Sequence, residues 1–108
     1  MTVKTELHAL VEKMNANPVH IESEKDRVFQ VDLKESGSLQ LVLKGGRAEV
    51  VEENLGEPEV TLILTDKNFS KLLKDDLNAT MAFMTGSLKV DGKMGLALKL
   101  QELVKLYQ

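Results

Sequence analysis

The sequence has no cysteine among its 108 residues. That excludes a disulfide framework, a thiolate zinc site and a cysteine nucleophile. It has no tryptophan, and its aromatic side chains are three phenylalanines and one tyrosine, which offer little for base stacking. No apolar run approaches the roughly 18 to 20 residues that span a bilayer, so stable membrane insertion is not expected. The start, Met1-Thr2-Val3-Lys4-Thr5-Glu6, lacks the apolar stretch of a secretory signal. The end, Leu106-Tyr107-Gln108, is not a peroxisomal address. The expectation is a cytoplasmic chain.

What is present is ordinary for a folded domain: 43% apolar and 29% charged residues, with a length that suits one domain over residues 1–108. The net charge of −3 is unevenly spread. Residues 1–65 carry 7 basic and 12 acidic side chains, whereas residues 66–108 carry 7 and 5. Nucleic acid recognition needs a concentrated basic stripe, so no nucleic acid partner is expected. The mild basic tilt of the C-terminal part leaves room for one small anionic group.

The hydrophobic pattern changes period along the chain. Val3, Leu7, Leu10, Val11 and Met14 recur at steps of three and four, which predicts an amphipathic helix. Asn15-Ala16-Asn17-Pro18 ends it, because the residue before proline avoids helical dihedrals. Phe29, Val31 and Leu33 then alternate with polar residues, and Leu39, Leu41 and Leu43 alternate with Gln40 and Val42, as strands do. Glu35-Ser36-Gly37-Ser38 and Lys44-Gly45-Gly46-Arg47 supply hairpin turns, and Ala48 to Val51 is the returning strand. Val60 to Thr65 is β-rich and apolar enough for a central strand. Thr65-Asp66 caps a helix with Phe69, Leu72 and Leu73 at helical spacing. A second short helix follows Asn78, with Met81, Ala82 and Met84 expected on its apolar side. Gly86 to Gly92 is a short strand, and the chain is helical from Lys93 to near its end. This order predicts an α+β fold: one mostly antiparallel five-stranded sheet covered by helices.

Reactive groups are sparse. His8 and His20 have no triad or metal spacing around them, and each reads as a surface or rim histidine. Gly45-Gly46 is a hairpin turn rather than a phosphate cradle, since no helix follows it directly. Asp75-Asp76 lacks the further carboxylates of a calcium loop. Neither enzyme, metal nor cofactor is expected. The apolar side chains are more unusual, with five methionines and many leucines. Met81, Met84 and Met94 cluster in the C-terminal third, and methionine adapts to irregular cavities and variable ligands. On the last helix, Met94, Ala97 and Leu98 are expected on a different side from Leu96, Leu100 and Leu103. One side would pack on the sheet while the other lines a cavity.

The run Phe83-Met84-Thr85-Gly86-Ser87-Leu88-Lys89-Val90-Asp91-Gly92-Lys93-Met94 closely resembles the C-terminal signature of sterol carrier protein (nonspecific lipid-transfer protein) domains. The upstream run Val60 to Phe69 is similar to that family's fourth strand and following helix. The resemblance implies a five-stranded sheet with helices enclosing an apolar tunnel. It implies a non-catalytic domain that holds a fatty acid, a fatty acyl-coenzyme A or a sterol. The tunnel-lining residues it points to are Met81, Met84, Met94, Ala97 and Leu98, with Phe69 and Leu73. Lys89, Lys93, Lys99 and Lys105 would lie near its opening, where they would attract acyl-coenzyme A phosphates. A rival use of the same fold is an interaction or dimerisation module with the cavity closed by side chains.

Overall fold

The computed structural model describes residues 2–108. Helix α1, Val3–Ala16, buries Val3, Leu7, Leu10, Val11 and Met14, the stripe that the three-and-four spacing dictates. The Thr2 hydroxyl caps it by accepting from the Thr5 amide. One 3-10 turn, Pro18–His20, follows.

Five strands form one sheet: β1 Arg27–Leu33, β2 Gly37–Lys44, β3 Arg47–Val51, β4 Val60–Leu64 and β5 Lys89–Gly92. Their spatial order is β3-β2-β1-β4-β5. Three pairings are antiparallel, as the sequence pattern suggests. The fourth, β1 with β4, is parallel, with Phe29 opposite Val60 and Leu33 opposite Leu64. The sheet is therefore mixed, and a parallel pair cannot be joined by a hairpin. The acidic segment 52–59 makes the crossing. It is strapped to the sheet by Gln40, a buried residue whose Nε2 donates to the Gly56 carbonyl (2.7 Å) and to Gln30 Oε1 (3.0 Å). Gln40 Oε1 accepts from the Gly56 amide (3.2 Å), so the buried amide is satisfied at both ends.

Strand alternation puts Phe29, Val31, Leu33, Leu39, Leu41, Leu43, Val60, Leu62 and Leu64 on one face, all buried. Against this face pack α1, α2 Asp66–Leu73, α3 Ala79–Thr85 and α4 Met94–Leu106. The Gly45-Gly46 turn has φ of 59° and 78°, the left-handed pair a two-residue hairpin demands. At the β3 edge, Asn15 Nδ2 donates to the Ala48 carbonyl and its Oδ1 accepts from the Ala48 amide, both at 2.9 Å. That occupies backbone groups which would otherwise template another strand.

Thr65 caps α2 by accepting from the Asn68 amide (3.1 Å), and the helix ends before Asp75, which is left-handed. Asp66 ties the start of α2 to the β1–β2 turn. It accepts from the Glu35 and Ser36 amides (3.3 and 3.2 Å) and from the Ser36 hydroxyl. Burial pushes this carboxyl up, but those hydrogen bonds outweigh it and hold Asp66 below its ordinary value.

Candidate functional site

The apolar layer between sheet and helices is the interior to which the sequence assigns function. Its sheet side is Phe29, Val31, Leu33, Val60, Leu62 and Leu64. Its helix side is Phe69, Leu72 and Leu73 of α2 and Ala97, Leu100, Leu103 and Val104 of α4. These side chains form one continuous cluster. Of the residues singled out in the sequence, Phe69, Leu73 and Ala97 belong to it, and Met94 packs half-buried against it.

Met81, Met84 and Leu98 lie elsewhere. Met81 is 63% exposed, Met84 77% and Leu98 39%, with Phe83 beside them at 46%. The expectation that Met81 and Met84 share the inward side of α3 with Ala82 is corrected here: the inward side is Ala79 and Ala82. Residues two apart on a helix point about 200° from each other, so an inward Ala79–Ala82 pair sends Met81 and Met84 outward. A second correction concerns Ala97, which joins Leu100, Leu103 and Val104 on the buried side of α4 rather than Leu98. Its spacing of three to Leu100 and seven to Val104 requires this.

Helix α3 is therefore thinly anchored. Only two alanines reach the interior from its seven residues. Polar links hold the rest. The Asn78 side chain accepts from the Met81 amide (3.0 Å), Gln101 Oε1 accepts from the Ala79 amide (3.0 Å), and the Leu88 amide donates to the Ala82 carbonyl (3.0 Å). Gln101 is the residue that sequence reading passed over. Its signal is a polar side chain in line with Met94 and Leu98, at steps of four and three along α4.

The seven singled-out residues are not gathered around one cavity. Leu73 borders a cleft of about 510 Å³ between α1 and α2, with Glu6, Leu10, Lys13, Lys74 and Gln108. Met81 borders a shallower one of about 400 Å³ with Asn68, Lys71, Asp76, Leu77 and Thr85. A third depression of about 510 Å³ lies on the far face of the sheet, floored by Val28, Val42 and Val51 and rimmed by Lys44 and Arg47.

The four lysines expected at one opening do not form a cluster. Lys89 alternates with Val90 along β5, so it lies on the sheet face turned away from the helices. Lys99 pairs with Glu24 at 3.1 Å. The histidines serve structure. His8 Nε2 lies 3.3 Å from Glu52 Oε2, and Lys4 Nζ is 3.5 Å from the other oxygen. The His8 hydrogen bond, with that of Lys4, holds the Glu52 carboxyl below its ordinary value against a smaller upward push from burial. His20 meets Tyr107 edge-on at 5.3 Å, and the Tyr107 hydroxyl donates to the Asn17 carbonyl (2.7 Å). Among the described residues, no three His, Asp or Glu side chains gather in a metal-binding group. No helix among them is long and apolar enough to cross a membrane.

A mixed five-stranded sheet with four α-helices on its apolar face defines a two-layer α+β domain. The chain matches the SCP-2 sterol transfer family over residues 5–105, and it belongs to that family. It is 39% identical over 80 residues to hydroxysteroid dehydrogenase-like protein 2 of Xenopus tropicalis, a match that covers 70% of this chain and 18% of that protein. It is 36% identical over 61 residues to human sterol carrier protein 2, covering 56% of this chain and 11% of the other. The chain thus spans less than a fifth of the length of these relatives. Among solved structures, the sterol carrier protein domain 2 of Helicoverpa armigera superimposes with a TM-score of 0.70 at 27% identity, covering 97% of this chain and 87% of that one. Sterol carrier protein-2 of Aedes aegypti, solved with palmitate, superimposes with a TM-score of 0.74 at 19% identity, covering 100% and 99%.

Proposed function

We propose that the chain is a non-catalytic lipid carrier that takes a single-chain fatty acid between the core face of its sheet and helices α2 to α4. The observation that carries the reading is α3: a helix with two inward alanines and two outward methionines, resting on an apolar interior. A helix so lightly anchored lifts at low cost, because it withdraws little apolar area from the core. Once lifted and rolled about its axis, α3 turns Met81 and Met84 toward an acyl chain beside Met94, and the flexible thioether side chains adapt to it. Family membership supports this reading, as does the palmitate in the Aedes aegypti structure.

The energetics are sufficient. Burying an acyl chain gains about 0.8 kcal/mol per methylene, or about 12 kcal/mol gross for a chain of about sixteen carbons. Association and ordering costs of about 4 kcal/mol or more reduce this to about micromolar affinity. The dispersed lysines favour a free fatty acid over acyl-coenzyme A, whose phosphates call for clustered cations. Exchange of this ligand in the cytoplasm is part of the proposal.

Native mass spectrometry of protein purified without added lipid tests it. Co-purified masses matching fatty acids, displaced by added palmitate, are the expected result. Clean apo protein that dimerises through α3 and takes up no fluorescent fatty acid would instead favour an interaction module.

A further inference from the structure

We infer that Met81 and Met84 form an oxidation site through which hydroperoxides switch lipid uptake off; the switch rests on the carrier reading above. The chain has no thiol, so thioethers are its most readily oxidised groups. Their environments differ sharply. Met14 is fully buried and Met94 is half-buried, whereas Met81 and Met84 project from α3 with most of their surface in water. Three residues apart on one helix, they lie side by side. Phe83 and Leu98 are exposed as well, so the two thioethers are the oxidisable members of the apolar surface that α3 presents to solvent.

The chemistry is a two-electron oxygen transfer. The sulfur lone pair attacks the terminal oxygen of the hydroperoxide, the S–O bond forms and the O–O bond breaks. The departing oxygen takes the proton and leaves as an alcohol, or as water from hydrogen peroxide. Sulfur is oxidised to the sulfoxide and the peroxide is reduced. In the structure described here both products face water, so the fold tolerates them. In the lipid-loaded arrangement the same side chains must turn onto an acyl chain. There a sulfoxide dipole has no hydrogen-bonding partner and resists burial. Oxidation therefore leaves the protein folded but biased against its ligand, and methionine sulfoxide reductases restore it.

The test treats the full chain with graded hydrogen peroxide, maps sulfoxide at each methionine by peptide mass spectrometry, and measures fatty-acid uptake and melting on the same samples. Met81 and Met84 should oxidise about tenfold or more faster than Met14, which reacts only through opening. Uptake should weaken by about tenfold as the two convert, with little change in melting, and should return after reductase treatment. Equal oxidation of Met14, or uptake that holds within about twofold when both residues are sulfoxides, would overturn the switch. So would a collapse of melting that tracks the lost uptake. A lack of uptake before any peroxide is added would defeat the carrier reading and the switch together. Normal uptake that ignores sulfoxidation would defeat the switch alone.

Discussion

The Gln101 side-chain carbonyl accepts a hydrogen bond from the Ala79 amide at 3.0 Å, joining the first residue of α3 to the middle of α4. An amide in the first turn of a helix has no partner within that helix, and α3 finds this one 22 residues along the chain. Little else polar ties the two helices together, so Gln101 is the main polar restraint of α3 on α4. In Gln101→Leu the buried Ala79 amide loses its acceptor at a cost of about 1 kcal/mol. The melting temperature should fall by about 4–8 °C, while stopped-flow association of a fluorescent fatty acid becomes faster. Slower association in the variant would show that Gln101 does not restrain α3.

Tryptophan substitutions on the two sides of α4 should behave differently. Leu100 is fully buried and Leu98 is not. Leu100→Trp overpacks the core and should destabilise by about 1–3 kcal/mol or more. Leu98→Trp should leave the melting of delipidated protein nearly unchanged and reduce fatty-acid uptake, because Leu98 shares with Gln101 the side of α4 that meets α3 and an indole there would crowd the proposed route of an acyl chain past that helix. A Leu98→Trp variant that binds ligand normally would remove Leu98 from that route.

Acid should expose the role of Asp66. Its carboxyl is held below its ordinary value of 3.8 in the folded chain, so the stabilisation is present above that value. It is lost as the pH falls through the depressed folded value. Urea denaturation of Asp66→Asn beside the wild type should show a gap at pH 7 that closes as the pH falls below about 4. A gap that persists unchanged through acid would assign the effect to shape rather than charge.

Gly92, at the end of β5, has φ of 103°, and a Cβ there would stand 2.8 Å from the Glu59 carbonyl oxygen. Gly92→Ala must strain the backbone and push apart β4 and β5. A loss of about 1–3 kcal/mol in denaturant titrations is expected. A melt equal to wild type would show that the strand pair yields freely.

Much of this architecture is legible in the sequence because it is local. The stripe from Val3 to Met14, the alternation from Phe29 to Leu43, the Gly45-Gly46 turn and the Thr65 cap all appear where the spacing puts them. What periodicity does not carry is pairing between distant segments. The parallel register of β1 with β4 depends on how segment 52–59 crosses the sheet, and that rests on Gln40 reaching Gly56. At the site, the apolar residues are visible but their direction is not. In a seven-residue helix with five apolar side chains, either face can turn inward. The small Ala79 and Ala82 win because they let α3 approach its neighbours closely, leaving the bulkier methionines outside.

The most direct test is methyl-methionine NMR of delipidated protein titrated with palmitate. The Met81, Met84 and Met94 methyl signals are expected to shift together and saturate at one palmitate per chain, while the signal of Met14, on the buried side of α1, barely moves. Palmitate that leaves those three signals unchanged, or that shifts Met14 as strongly as them, would contradict the carrier reading.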